Sequence, residues 1–381
     1  MKQVYLDNAA TTALRPEVVE KMTEVLTNTY GNASSTHTIG RGAKALIEQC
    51  RKNIAGYLNV SASEIIFTSG GTEADNLALR SAVRDLGVKH IITSRIEHHA
   101  VLHTIDQLKA EYDIAVSYVE VKQDGHIDYS HLETLLKSSE KTLVSLMHIN
   151  NEIGNILDIK RVADLCKKNN ALFHSDTVQS IGHYHLDLSD VKIDFLAASA
   201  HKFHGPKGVG FCFVRKESGL KALIFGGEQE RGVRAGTESV HNIVGMDEAL
   251  KMAYTNLENE QKLLKQLKQY FIDQLEAKLP GCHFNGASND LEASTYTLIN
   301  VCLPLPAEKA AMLPFQLDLK GICASKGSAC QSGSSLASHV LSQIQSENLQ
   351  KRPSVRFSMS VFNTKDDVDY VVDTLTELVN S

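Results

Sequence analysis

Lys202 is the residue in this chain best placed to act as an amine nucleophile. It lies in Ser199-Ala200-His201-Lys202-Phe203-His204-Gly205-Pro206-Lys207-Gly208, directly after the apolar strand-like run Asp194–Ala198. Burial disfavours the ammonium form of a lysine in such a setting, and the free amine condenses with a carbonyl to give a Schiff base. Alone, the segment also reads as a Gly/Pro turn flanked by solvated lysines. Its weight comes from what else converges on it.

Upstream, Ala171-Leu-Phe-His174-Ser175-Asp176-Thr177-Val178-Gln179 reads as a short apolar strand ending on an aspartate, with a glutamine three positions later. Pyridoxal phosphate, held on a lysine, works as an electron sink while its ring nitrogen stays protonated, and a carboxylate at a strand end is the usual partner of that nitrogen. Asp176 is the candidate, with Gln179 placed for the ring hydroxyl. The bland alternative is an aspartate that opens a turn or caps a helix. A phosphate site is also present. Glu64-Ile-Ile-Phe-Thr68-Ser69-Gly70-Gly71-Thr72-Glu73 reads as a strand, a Gly-Gly turn and a helix start. Backbone amides at such a start, close approach at Gly71 and the Thr72 hydroxyl make an anion cradle.

Two further residues complete a catalytic set. Cys330 sits in Ala324-Ser-Lys326-Gly-Ser-Ala-Cys330-Gln-Ser-Gly-Ser-Ser-Leu336, a run of small and polar residues with little apolar material to bury a thiol. Lys326 is near enough in sequence to favour its thiolate. Arg356, in the alternating run Ser354-Val-Arg356-Phe-Ser358-Met359-Ser360, offers the planar fork that suits an amino-acid carboxylate; a surface ion pair is the other reading. The remaining cysteines have no CxxC pair and, in an odd total of seven, imply no disulfide framework. Cys166 and Cys212 read as small core residues. Sixteen histidines supply no clear zinc-ligand spacing, so no metal is expected.

The elements that must position these groups alternate between strand and helix. Strand-like runs at Ile65–Thr68, His90–Thr93, Ile114–Val119, Leu143–Met147, Ala171–His174, Phe195–Ser199 and Gly210–Val214 are interleaved with helical patterns such as Val162–Asn169. This predicts an α/β fold with a mostly parallel central sheet. A long helical stretch from about Val240 to Lys278 reads as a connector to a smaller α+β domain holding Cys330 and Arg356. At 381 residues the chain can bury a sizeable core in two domains, and no apolar run approaches a membrane span. No targeting pattern is recognisable at the N-terminus, so the expected compartment is the cytoplasm. A net charge of −6 with scattered lysines gives no basic stripe for nucleic acid.

Taken in order, Tyr5-Leu-Asp-Asn-Ala-Ala-Thr-Thr12, Gly31-Asn-Ala-Ser-Ser-Thr-His37, Ser69-Gly-Gly-Thr-Glu73, Glu97-His98-His99-Ala100-Val101, His148-Ile-Asn-Asn151-Glu152-Ile-Gly154 and the lysine motif resemble the cysteine desulfurases of the class V aminotransferase family across nearly the whole chain. The resemblance implies a fold-type I pyridoxal-phosphate enzyme with a large domain over residues 14–255 and a small domain from 1–13 and 256–381. It implies the cofactor on Lys202, its phosphate at Gly71, Thr72, Ser199 and His201, its ring stacked on His98, and Asp176 on the ring nitrogen. Asn151 falls near substrate and ring, Arg356 on the substrate carboxylate, and Thr237 at the phosphate of a neighbouring subunit in a homodimer. The Cys330 segment resembles the persulfide loop of the group with an extended loop, departing from it at Lys326 and Gln331. His98 is also placed to exchange a proton with the substrate thiol. The implied reaction converts L-cysteine to L-alanine with a Cys330 persulfide, passed on to a sulfur-acceptor protein such as an iron–sulfur scaffold. A selenocysteine lyase or related β-eliminating enzyme shares everything except the demand for a thiol nucleophile, and a non-catalytic sulfur carrier is the reading from a different class.

Overall fold

The computed structural model describes residues 2–216, 218–310, 312–326 and 338–380, and the statements below concern those residues. The apolar runs of the first half assemble into one seven-stranded sheet, in the spatial order Ile65–Thr68, Gly210–Val214, Phe195–Ser199, Leu172–Asp176, Thr142–Ser145, His90–Ser94 and Ala115–Val119. Gly210–Val214 runs antiparallel to both neighbours and every other pairing is parallel. Helices cover both faces, so Ile65–Thr68, His90–Ser94, Thr142–Ser145 and Phe195–Ser199 are buried at every position and do not show the in–out alternation of a half-exposed sheet.

Parallel pairing puts the carboxyl ends of successive strands on one edge, where open α/β sheets bind their ligands. Asp176 stands opposite Ala197 in the register of adjacent strands. Three residues beyond the Phe195–Ser199 strand, on the 3-10 turn Ala200–Lys202, comes Lys202. The Gly71–Arg84 helix starts at the same edge, after the Ile65–Thr68 strand.

The stretch expected as one connector helix is two helices, Val240–Thr255 and Leu257–Lys278, broken at Asn256. Asn256 turns its side-chain Nδ2 back onto the Met252 carbonyl at 3.0 Å and leaves the helical path there. The break separates two environments. The first helix packs Ile243, Val244, Met246 and Leu250 into the core beneath the large sheet. The second buries Leu264, Leu267, Phe271 and Leu275 in another apolar core, with Ile299, Phe357 and the Lys365–Asn380 helix.

That second core contains a three-stranded antiparallel sheet, ordered Ser354–Ser358, Leu298–Cys302, His283–Phe284. It also takes in the start of the chain. Val4–Tyr5 pairs in parallel with Ile322–Cys323, and Val4 and Leu6 are buried in the same cluster. From there residues 7–13 pass back over the large sheet. Thr12 N donates to the His201 carbonyl at 2.9 Å, and His204 N to Thr12 Oγ1 at 2.7 Å.

Candidate active site

A cavity of about 200 Å³ opens at the carboxyl edge of the large sheet. Its wall brings together Gly71, Thr72, His98, Asn151, Asp176, Gln179, Ser199, His201, Lys202 and Arg356, all singled out in the sequence. Ala9, Ala10, Asp75, Met147 and Val178 complete it.

Lys202 extends its ammonium towards the crossing N-terminal segment, where Nζ donates to the Ala9 carbonyl at 2.6 Å and the Ala10 carbonyl at 2.9 Å. Gln179 Nε2 donates to the same Ala9 carbonyl at 3.0 Å. These two carbonyls carry no side-chain signature, and sequence reasoning missed them.

Asp176 is buried at the strand end, with Oδ1 accepting from Val178 N at 2.9 Å. Burial pushes its carboxyl up from the usual aspartate range, against the pull of that N–H and of the Lys202 charge. A positive charge brought against it would restore the carboxylate, which is what a ring nitrogen needs.

At the end of the cavity where the sequence suggests a phosphate, the Gly71–Arg84 helix offers its first amides, with Thr72, Ser199 and His201 around them. A Cβ on Gly71 would stand 2.5 Å from Val178 Cγ2, so only glycine lets the helix start approach this wall. Glu73 fixes the turn by accepting from Ser69 N at 2.8 Å, and Arg234 grips its carboxylate at 2.7 and 3.1 Å. Arg234 belongs to a segment anchored again by Glu230, whose buried carboxylate meets Arg51 at 2.6 and 2.8 Å and Phe67 N at 2.9 Å. Sequence reasoning missed these anchors. Thr237, a little further on, is exposed and does not line this cavity.

His98 caps the His99–Glu111 helix, its Nδ1 accepting from Ala100 N at 3.1 Å. Burial first, and then the Lys202 charge, lower its pKa to about 4. The ring is therefore neutral near pH 7 and carries its hydrogen on Nε2, a tautomer that stacks and donates a hydrogen bond but has no free lone pair for a proton. Glu97, buried beside it, accepts from Met147 N and Ser94 Oγ, each at 3.0 Å, and so holds the turn.

Arg356 is 1% exposed, far from the surface ion pair that an arginine in a strand also suggests. Nη2 meets Asp7 Oδ1 at 2.9 Å and Nη1 donates to the Asn151 carbonyl at 2.7 Å. Its Nε is buried without a partner, so donors remain for an incoming carboxylate. Cys330 lies outside the described residues.

The Aminotransferase class-V family matches residues 4–371. A cysteine desulfurase IscS of Dictyoglomus turgidum is 40% identical over 99% of this chain and 95% of its own. A solved NifS-like protein superposes with a TM-score of 0.90 at 34% identity, each chain covered in full. The structure of SspA in complex with cysteine superposes with a TM-score of 0.81 at 30% identity, over 94% of this chain and 99% of that one. The chain belongs to the class V aminotransferases, a family of pyridoxal-phosphate enzymes. The cavity fits that cofactor. It has a lysine, a buried carboxylate at a strand end, a helix start for the phosphate, and a His201 Nδ1 that is buried without a partner.

Proposed function

We propose that this protein is a cysteine desulfurase, converting L-cysteine to L-alanine and carrying the sulfur as a persulfide on Cys330. The observation that supports it most is the meeting of Lys202, Asp176, His98 and Arg356 in one cavity, in a chain matched along its length by proteins named cysteine desulfurases. Pyridoxal phosphate, held by Lys202, Asp176, Gln179, Ser199, His201 and the Gly71–Thr72 helix start, supplies a sink for the electron pair released at the substrate Cα.

The chain's own residues do the rest. Arg356 takes the substrate carboxylate in the fork that Asp7 and the Asn151 carbonyl orient. Asp176 keeps a proton on the ring nitrogen. Lys202 Nζ, as a free amine, would remove the Cα proton. His98, a neutral imidazole on the cavity wall, would lie against the ring and offer Nε2–H to the substrate. The Cys330 thiolate attacks the substrate sulfur: the S–S bond forms, the Cβ–S bond breaks with its electron pair left on the substrate, Cβ takes up a proton, and a proton is returned to Cα to leave alanine.

The persulfide goes to an acceptor protein such as an iron–sulfur scaffold. The working form is a cytoplasmic homodimer in which Thr237 completes the phosphate site of the second copy. Each copy has a large domain over residues 14–255 and a small one from 1–13 and 256–381. Alanine release and persulfide formation, measured with L-cysteine and with L-selenocysteine separately, test the reading. Turnover of L-selenocysteine alone, with no persulfide from L-cysteine, replaces it with a selenocysteine lyase.

A further inference from the structure

The wall of the cavity holds a second buried carboxyl that the reaction above does not use. Asp75 sits one turn into the Gly71–Arg84 helix, lines the cavity and is 1% exposed. Facing it is His174, fully buried, with Nε2 3.3 Å from Asp75 Oδ1; with Asp75 taken as a carboxylate, neither of these two buried atoms makes a hydrogen bond among the described residues. His174 is two residues ahead of Asp176 on the same strand, so strand alternation turns both side chains to the same face. The other ring nitrogen, Nδ1, lies 2.9 Å from the buried Ser145 Oγ on the neighbouring strand.

We propose that Asp75 is held as the neutral acid, with its proton directed at His174 Nε2, and that this buried acid–imidazole pair leaves Asp176 the one ionised carboxylate facing the cofactor's ring nitrogen. The inference rests on the reading of Asp176 as the partner of that nitrogen.

Burial and mutual repulsion disfavour two charged carboxyls on one wall, so ionising one favours a proton on the other. The neighbours decide which. Asp176 accepts from a backbone N–H and, in the cofactor-free protein, faces the Lys202 ammonium, and both favour its charge; with the cofactor on Lys202, the protonated ring nitrogen would take the place of that cation. Asp75 faces Asp176 and His174 from one strand, Glu97 from the turn before the His99–Glu111 helix, and Cys212 from the Gly210–Val214 strand. None of these is a fixed cation. Burial and the two nearby carboxyls raise the Asp75 carboxyl well above its ordinary range, while burial lowers His174 to about 3. Both changes oppose a charged pair. Ser145 Oγ can either accept from or donate to His174 Nδ1; the proposal takes the tautomer with Nδ1–H, which leaves the Nε2 lone pair towards Asp75. Asp75 is on this view a positioning residue, since its neutrality prevents a second negative charge from drawing a proton onto Asp176.

The test uses the cofactor-loaded protein and reads two quantities: the pH midpoint of the visible cofactor band, and the affinity with which stripped protein takes pyridoxal phosphate back up. Asp75→Asn preserves a neutral donor to His174, so the affinity stays within about twofold and the midpoint is unmoved. His174→Leu leaves the Asp75 hydroxyl without an acceptor and weakens uptake by about tenfold or more, while His174→Gln, whose amide oxygen accepts, recovers most of it. A midpoint that moves by about one unit or more in Asp75→Asn shows that Asp75 is ionised and overturns the proposal. Wild-type behaviour of His174→Leu also overturns it, and if that variant does not fold, Asp75→Asn decides. Asp176→Asn is the control: if it leaves the band unmoved, the assignment of Asp176 fails, a result distinct from either of the others.

Discussion

Arg356 Nη2 lies 2.9 Å from Asp7 Oδ1, and the same carboxylate oxygen accepts from Ser325 Oγ at 2.9 Å. One N-terminal aspartate therefore holds both the proposed carboxylate anchor and a residue just ahead of the Cys330 segment. Arg356→Lys keeps the charge but loses the fork, and should raise KM for L-cysteine by about ten- to a hundredfold, with a smaller change in kcat. Asp7→Asn should shift KM in the same direction by a smaller factor, since it loosens the fork without removing it. Steady-state alanine release checks both, and an unchanged KM in Arg356→Lys removes Arg356 from substrate binding.

Lys202→Ala should purify without the visible band of lysine-bound pyridoxal phosphate and without turnover. Borohydride treatment of the wild-type protein followed by peptide mapping should find the reduced cofactor on Lys202. Recovery on Lys207 or any other lysine would displace the assignment.

Cys330→Ser should separate cofactor chemistry from sulfur transfer. The variant should bind pyridoxal phosphate and still change its spectrum with L-cysteine, because Lys202, Asp176 and Arg356 are intact. It should release no alanine catalytically and form no persulfide. Normal alanine production in this variant would mean that the thiol is not the nucleophile.

Acid should destabilise the cofactor-free protein through its buried histidines. Burial lowers His98, His148, His201 and His204 to about 4 and His174 to about 3, from 6.5. A depressed histidine contributes stability that is present above 6.5 and is lost as pH falls towards its folded value, because the unfolded chain binds the extra proton first. Buried carboxyls act in the opposite sense. Asp75, Asp176 and Glu97, the last raised to about 8, contribute stability that is lost as pH rises through their folded values. With His90, His99 and His183 also lowered and Asp194 and Asp247 also raised, eight histidines outnumber five carboxyls among the described residues. The thermal midpoint should therefore fall between about pH 7 and about pH 5. A midpoint that rises over that interval contradicts the neutral-histidine assignment.

Homodimer formation should be visible by light scattering, with activity confined to the dimer. Thr237→Ala should weaken cofactor retention even though Thr237 lies outside its own chain's cavity. An active monomer at working concentration rules this arrangement out.

Ile65–Thr68, Phe195–Ser199 and Gly210–Val214 were legible in the sequence to the residue, because strands buried on both faces leave unbroken apolar runs bounded by turn residues. The lysine, the strand-end aspartate and the Gly-Gly helix start were legible because each couples a residue type to an element boundary. The break at Asn256 was not. Helical periodicity continues on both sides of it, and only the change of core shows that the buried face has changed partner. The Ala9 and Ala10 carbonyls were hidden for another reason: a backbone acceptor looks the same in every residue. Asp75 and His174, like Arg51 and Glu230, come from distant parts of the chain, and only the folded sheet brings them together.

The parallel pairing of Val4–Tyr5 with Ile322–Cys323 has a consequence for how the chain is made. Val4 and Tyr5 leave the ribosome well before Ile322 and Cys323, their strand partners, and Asn8 Nδ2 waits longer still for the Ser358 carbonyl. The large sheet, complete by Val214, has all its strands available well before then. Folding during synthesis should therefore leave residues 2–13 as an unpaired strand beside a formed sheet, with the Lys202 pocket lacking the wall that Ala9 and Ala10 provide. Cofactor capture would then be a late event, coupled to completion of the C-terminal core rather than to the sheet that carries the lysine.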